Sequence, residues 1–199
     1  MTEEKPRPRI KVALTAFPER YISPSKPSTA PPAVQDAYRQ TGFLLGDDLL
    51  LFERAMNLQL AIVTANKKAR TPAAAAILSF WSRTFSHLAD ACTLVSLGSY
   101  TSCAPLLRSA LDCIAVQRGL VRDGFGEYEE WLADAISQAK AQNALAFDLG
   151  RYRAASVLAE DERLGPLYRL LTDLSMPHFG STAFQTGSDS NLQKLSLSF

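Results

Sequence analysis

The proline distribution constrains this chain more than any other feature. Seven of its eleven prolines lie between Pro6 and Pro32, and the other four are Pro72, Pro105, Pro166 and Pro177. Proline fixes φ and removes a backbone donor, so it is excluded from helix interiors and sheet centres but tolerated in a helix's first turn. Residues 1–32 are therefore expected to be an extended or disordered arm. Within it, Ile10 to Phe17 could form a short strand or lie against the rest of the chain. The long stretches between the later prolines are free to form helices.

Apolar spacing supports helices in those stretches. Leu50, Leu51, Arg54, Leu58, Ala61, Ile62 and Ala65 keep a helical period through a first helix. That helix is expected from about Ala33 to Lys68, with an interruption around Gly42 to Gly46. Thr71-Pro72 opens a second helix that runs to about Leu97, where Gly98 stops it. A third starts around Thr101 or Ser102, carries Pro105 in its first turn, and closes at Gly124 and Gly126. A fourth is expected over about Glu127 to Phe147, with Glu127, Glu129 and Glu130 at the positive end of its dipole. A short polar helical piece follows at Arg151 to Glu160. Pro166 opens a last helix, and Pro177 ends it after Ser175. Beyond Met176, Gly180 to Asn191 reads as loop. Leu195, Leu197 and Phe199 alternate with serines as a half-buried strand does.

The expected fold class is thus all-α: an up-and-down bundle of four to six helices with a proline-rich N-terminal arm and a short strand-like C-terminal tail. The divisions are the arm over 1–32, the bundle over 33–180, and loop and tail over 181–199. At 199 residues and 47% apolar, the chain suffices for one such core. A formal net charge of +1 supplies no electrostatic case for a nucleic-acid or membrane surface. The arm carries six Lys and Arg against three Glu, a mild excess. No stretch has the length to cross a bilayer, and the charged N-terminus lacks the apolar core of a signal peptide. A soluble, cytoplasmic protein is expected.

Cys92, Cys103 and Cys113 form neither a disulfide framework nor a zinc pattern. On one helix, Cys103 and Cys113 would stand about 15 Å apart. Buried thiols in a reducing compartment are the expected reading. There is no GxGxxG, no P-loop, no HExxH and no GxSxG elbow, and two histidines are too few for a di-iron bundle. No metal and no cofactor are expected.

Three places could still carry chemistry. The third helix is apolar round most of its circumference, yet holds Arg108 and Asp112 at i, i+4, side by side on one face. A charge in apolar surroundings must be paired or exposed. The two are therefore either a structural ion pair or part of a polar pocket. His87 stands among Phe80, Thr84, Ala91 and Leu94, with Arg83 close by, in the manner of a core histidine. His178 follows the last helix in Ser175-Met176-Pro177-His178, where it could reach the bundle, and its ordinary pKa near 6.5 suits proton transfer.

Two segments carry a family resemblance. Between Leu94 and Asp112, a turn with Gly98 precedes a helix bearing Leu106-Leu107-Arg108-Ser109, two apolar residues and an acid. Between Leu167 and His178, Tyr168 is followed by Leu174-Ser175 and a histidine three residues on. The pair resembles motifs of uncharacterised bacterial helical proteins similar to the HEPN superfamily, over about residues 45–180. The resemblance implies an up-and-down bundle, often dimeric. Many HEPN proteins are metal-independent ribonucleases of toxin or phage-defence systems, with an Arg, four to six residues, then a His. Here three residues separate Arg83 from His87, and eight separate Arg169 from His178. Asp112 stands where these relatives more often show Glu.

The expected function is accordingly a non-catalytic HEPN-like bundle, in a bacterial toxin or defence context, that binds a protein partner or small ligand. Arg108, Asp112, Ser175, His178 and His87 would line its pocket. The partner is expected to be a second copy or another protein. The first alternative is a ribonuclease or nucleotide-acting enzyme, with His178 as acid/base and Arg108 stabilising phosphorane charge. RNA or a nucleotide would then be the partner, without support from net charge. The second alternative is a structural subunit of a larger assembly.

Overall fold

A computed structural model describes residues 18–66, 71–126, 128–130 and 152–176. Among these residues the protein is an all-α bundle with no strand. Its helices are α1 (Pro32–Ala65), α2 (Pro72–Ser96), α3 (Tyr100–Arg122), the single turn α4 (Ala154–Val157) and α5 (Leu164–Ser175). The expected fourth helix falls largely on residues 131–151, outside the described residues, although 128–130 are helical. The strand-like tail and His178 also lie outside them. No described helix is long and apolar enough to cross a membrane.

The helix ends follow the local chemistry. Pro32 and Pro72 begin α1 and α2, and the Thr71 hydroxyl caps α2 by accepting the Ala74 N–H at 3.1 Å. Gly98, at φ +79°, stops α2 in a Schellman turn. Ser99 N–H reaches Leu94 O at 2.9 Å and Gly98 N–H reaches Val95 O at 3.0 Å. Gly124 does the same for α3, with Phe125 N–H on Leu120 O at 3.0 Å. A β-carbon at Gly98 would also lie 2.7 Å from Ala37 Cβ, so the α2–α3 turn doubles as the seat of α1's first turns.

Two expectations need adjustment. The interruption near Gly42–Gly46 is a kink within one helix, with Leu45 alone leaving helical geometry at φ −122°, ψ 16°. α3 begins at Tyr100, so Pro105 sits beyond the first turn, inside the helix. The bond it forgoes is the one its N–H would have made to Thr101 O four residues back.

Successive helices run up and down. Thr41 on α1 bonds Val95 O at 3.3 Å, and Trp81 Nε1 donates to Gln59 Oε1 at 3.0 Å near the opposite end of the α1–α2 pair. Thr84 on α2 meets Gln117 on α3 at 3.3 Å. α3 is central, with α2 on one side and α4 and α5 on the other, whereas α1 packs chiefly on α2.

Small residues let α3 occupy that position. Its buried set is Cys103, Ala104, Ala110, Leu111, Cys113, Ala115, Val116, Gly119 and Leu120. At Gly119 the Tyr152 ring fills the space of a side chain, and a β-carbon there would stand 2.1 Å from Cδ1. Gly165 similarly admits the carbonyl of Leu158, 2.6 Å from where its β-carbon would be. All three cysteines are buried and free, as expected.

The described end of the arm is extended and anchored. Tyr21 is buried between α1 and α2, edge-on to Phe52 at 5.7 Å and to Phe85 at 6.1 Å. Asn57 holds its backbone both ways, accepting its N–H at 2.9 Å and donating to its carbonyl at 2.9 Å. Ser23 N–H donates to Glu53 at 3.0 Å, which, with Arg20 at 3.7 Å, holds that carboxyl below its ordinary range.

Candidate functional site

Arg108 projects from α3 toward α5. Its Cζ lies 5.9 Å from the centroid of the Tyr168 ring, and Nη1 lies 3.9 Å from the sulfur of Met176, just past the end of α5. Its Nε is buried without a hydrogen-bond partner among the described residues. The expected ion pair is not formed: no contact within 4.0 Å joins Arg108 to Asp112. There is a physical reason. Side chains on a helix lean toward its N-terminus, so an acid placed before its base pairs better at this spacing than the reverse order found here. A guanidinium also stacks favourably on an aromatic face.

The structure brings Arg108 to the C-terminal end of α5, where the expected pocket needed it. Ser175, the last residue of α5, spends its hydroxyl on its own helix, donating to Leu171 O at 2.5 Å. Asp112 is half-buried on α3 beside Cys113. Burial raises the Cys113 thiol's pKa, Arg83 lowers it, Asp112 raises it, and a hydrogen bond to Thr84 lowers it. Arg83 of α2 is therefore near this level of α3. His87 is half-buried on α2 and makes no hydrogen bond or ion pair among the described residues. Of the five expected pocket residues, then, Arg108 reaches the α3–α5 contact through Tyr168 and Met176, and Ser175 stands next to Met176 in sequence with its hydroxyl bonded within α5. Asp112 and His87 belong to the helix-packing region on α3 and α2, and His178 lies outside the described residues. No group of three or more His, Cys, Asp or Glu side chains among the described residues could hold a metal.

A second site was not singled out in the sequence. Between the C-terminal end of α1 and the N-terminal end of α2 lies an open cleft of about 470 Å³. Ile62 and Val63 of α1, Ile77, Leu78 and Trp81 of α2, and Phe125 beyond α3 wall it. Its polar groups are amides. Gln59 accepts from the Trp81 indole, and Asn66 donates its amide to Ile62 O at 2.7 Å. No carboxylate, histidine, cysteine, lysine or hydroxyl is among the described lining residues. The signal was present as Ala74, Ile77, Leu78 and Trp81, an i, i+3, i+4, i+7 row. Such a row does not reveal whether a neighbour covers it.

The remaining polar constellation is structural. Asp161 accepts from Arg118 of α3 at 2.5 Å and from the N–H groups of Leu164 and Arg163 at 2.7 and 3.0 Å. Those bonds, Arg118 first, bring its pKa down to about 2. The carboxylate ties the start of α5 to α3.

No known protein family, curated protein or solved structure matches the chain.

Proposed function

We propose that this chain is a non-catalytic, HEPN-like helical bundle that binds a small, mostly apolar ligand in the α1–α2 cleft. The cleft carries the reading. Its volume of about 470 Å³ is of the size that small-molecule sites take, and its walls are almost wholly apolar with a few amides to orient a guest. The matching ligand has a flat aromatic or short aliphatic body and one carbonyl or hydroxyl facing Asn66. The described lining residues offer no acid, base or nucleophile, which favours binding over turnover. The test is titration with the neutral fluorophore N-phenyl-1-naphthylamine, read by its emission and by Trp81 quenching. Saturable binding is expected. Filling the cleft with Ala74→Trp should weaken it at least tenfold while the thermal midpoint holds. Equal binding by the variant would refute the site.

A second reading rests on Arg108. Its Nε is buried and unpartnered among the described residues, and its Nη1 lies 3.9 Å from the sulfur of Met176, which is two residues before His178 in sequence. A phosphodiester held by this guanidinium is the ribonuclease alternative. RNA cleavage abolished equally by Arg108→Ala and His178→Ala would support it, and absence of cleavage by the parent chain would remove it.

A further inference from the structure

Beyond its kink at Leu45, α1 rests on α2 through Phe52, Met56 and Leu60, and its outward face is apolar as well. Leu50, Arg54, Leu58 and Ile62 stand there at four-residue steps, and the three apolar members are 58%, 62% and 55% exposed. Single exposed leucines need no explanation, but a continuous row of apolar side chains marks a surface on which something packs. A four-residue step advances the row by about 40° round the helix. The row therefore drifts across the outward face. It begins at Leu50, beside the flank where Glu53 and Asn57 hold the N-terminal arm, and ends at Ile62, on the rim of the ligand cleft.

The arm is delivered to the start of this row. Tyr21 is fixed on Asn57 and Ser23 on Glu53, so the arm runs antiparallel to α1 and two of its residues span four of the helix. That ratio is geometric, since two extended residues rise about 6.6 Å and four helical residues about 6 Å. At Glu19 and Arg20 the chain bends, and both residues share a depression with Leu50, Arg54 and Asn57. The bend sets the chain beside the outward face.

Residues 10–17 lie outside the described residues. In sequence, Ile10, Val12, Leu14 and Ala16 alternate with Lys11, Ala13, Thr15 and Phe17. We propose that this segment continues antiparallel along the outward row of α1, with Ala16 at Arg54, Leu14 at Leu58 and Val12 at Ile62. In that register one side of the extended segment meets the row at every four-residue step. Its smallest member, Ala16, comes where the long stem of Arg54 needs room. That side carries no charge to oppose the guanidinium, and Lys11 belongs to the other side. The reach suffices: eight extended residues span about 26 Å, against about 18 Å from Leu50 to Ile62. The tether also selects this occupant over a second copy. A segment joined to the row through Pro18 acts at an effective concentration on the order of millimolar.

Hydroxyl-radical footprinting of the full chain tests the contact. Leu14→Asp should raise the labelling of Leu58 and Ile62 at least twofold and leave Leu167 and Leu170, exposed on α5, unchanged. Thr15→Asp, on the opposite side of the segment, should change none of the four. Labelling of Leu58 that Leu14→Asp does not move overturns the proposal. The register is read by disulfide formation, for which the native thiols are buried. Leu14→Cys with Leu58→Cys should close a bond within one chain under mild oxidation, at least tenfold faster than Thr15→Cys with Leu58→Cys. Equal rates would overturn the register. A bond formed only between chains, at a rate that rises with protein concentration, would assign the row to a second copy and overturn the intramolecular contact.

Discussion

Arg108 lies over the ring of Tyr168, 5.9 Å from its centroid, and not against Asp112 one turn along the same helix. The charge that seemed to demand an acid is accommodated by an aromatic face and a thioether. A double-mutant cycle between Arg108→Met and Tyr168→Leu should therefore give a coupling of about 0.5–2 kcal/mol in chemical denaturation. The cycle between Arg108→Met and Asp112→Asn should give a coupling near zero. A larger coupling to Asp112 than to Tyr168 would contradict the geometry.

Gly119 faces a ring where another residue would place a methyl. Gly119→Ala must displace Tyr152 or part α3 from the residues before α4, and should destabilise by about 1–3 kcal/mol despite its better helix propensity. An unchanged or raised midpoint in urea would show that the Tyr152 ring does not hold that position.

Asp161 sets an acid limit. Its pKa is lowered from 3.8 to about 2 by Arg118 and the two backbone N–H groups. A carboxyl with a depressed folded-state pKa contributes stability that is complete above its unfolded value and is lost as pH falls through the folded one. The thermal midpoint should drop more steeply between about pH 4 and pH 2 in the parent chain than in Asp161→Asn, and the two should converge below that window. Parallel pH profiles would count against the tether.

Tyr21 anchors the arm by its ring, not by its hydroxyl. Burial first, then the neighbouring Cys92 thiol, push its pKa well above the usual phenol range, while the hydroxyl meets no partner of hydrogen-bonding geometry among the described residues. Tyr21→Phe should change stability by less than about 1 kcal/mol, since nothing well satisfied is lost. Tyr21→Ala should cost about 3–5 kcal/mol and expose the arm to proteolysis. A large loss in the Phe variant would mean that the hydroxyl is bonded.

Much of the fold was legible because helix boundaries are local. Pro32, Thr71-Pro72, Gly98 and Gly124 act on hydrogen bonds within one turn of themselves, so their effect follows from sequence. The kink at Leu45 belongs to the same class, foreshadowed by Gly42 and Gly46 on either side. α3's largely apolar circumference correctly marked it as the central helix, although Arg118 and Val121 still reach water.

The site was not legible in the same way. Spacing put Arg108 and Asp112 on one face, but where a long side chain goes is decided by what packs against it, here Tyr168 and Met176 from 60 or more residues away. The Ala74–Trp81 row of α2 and the leucines of α1 are both apolar in sequence. Only the packing of α1 on α2 decided that Met56 and Leu60 are covered while Leu51 and Leu58 are not. Pro32 and Pro72 thus determined by themselves where α1 and α2 begin, and Gly98 and Gly124 where α2 and α3 end, whereas Pro105 marked no boundary. Which faces meet, which cation finds a ring, and where an opening remains depended on distant residues coming together, and belong to the tertiary structure alone.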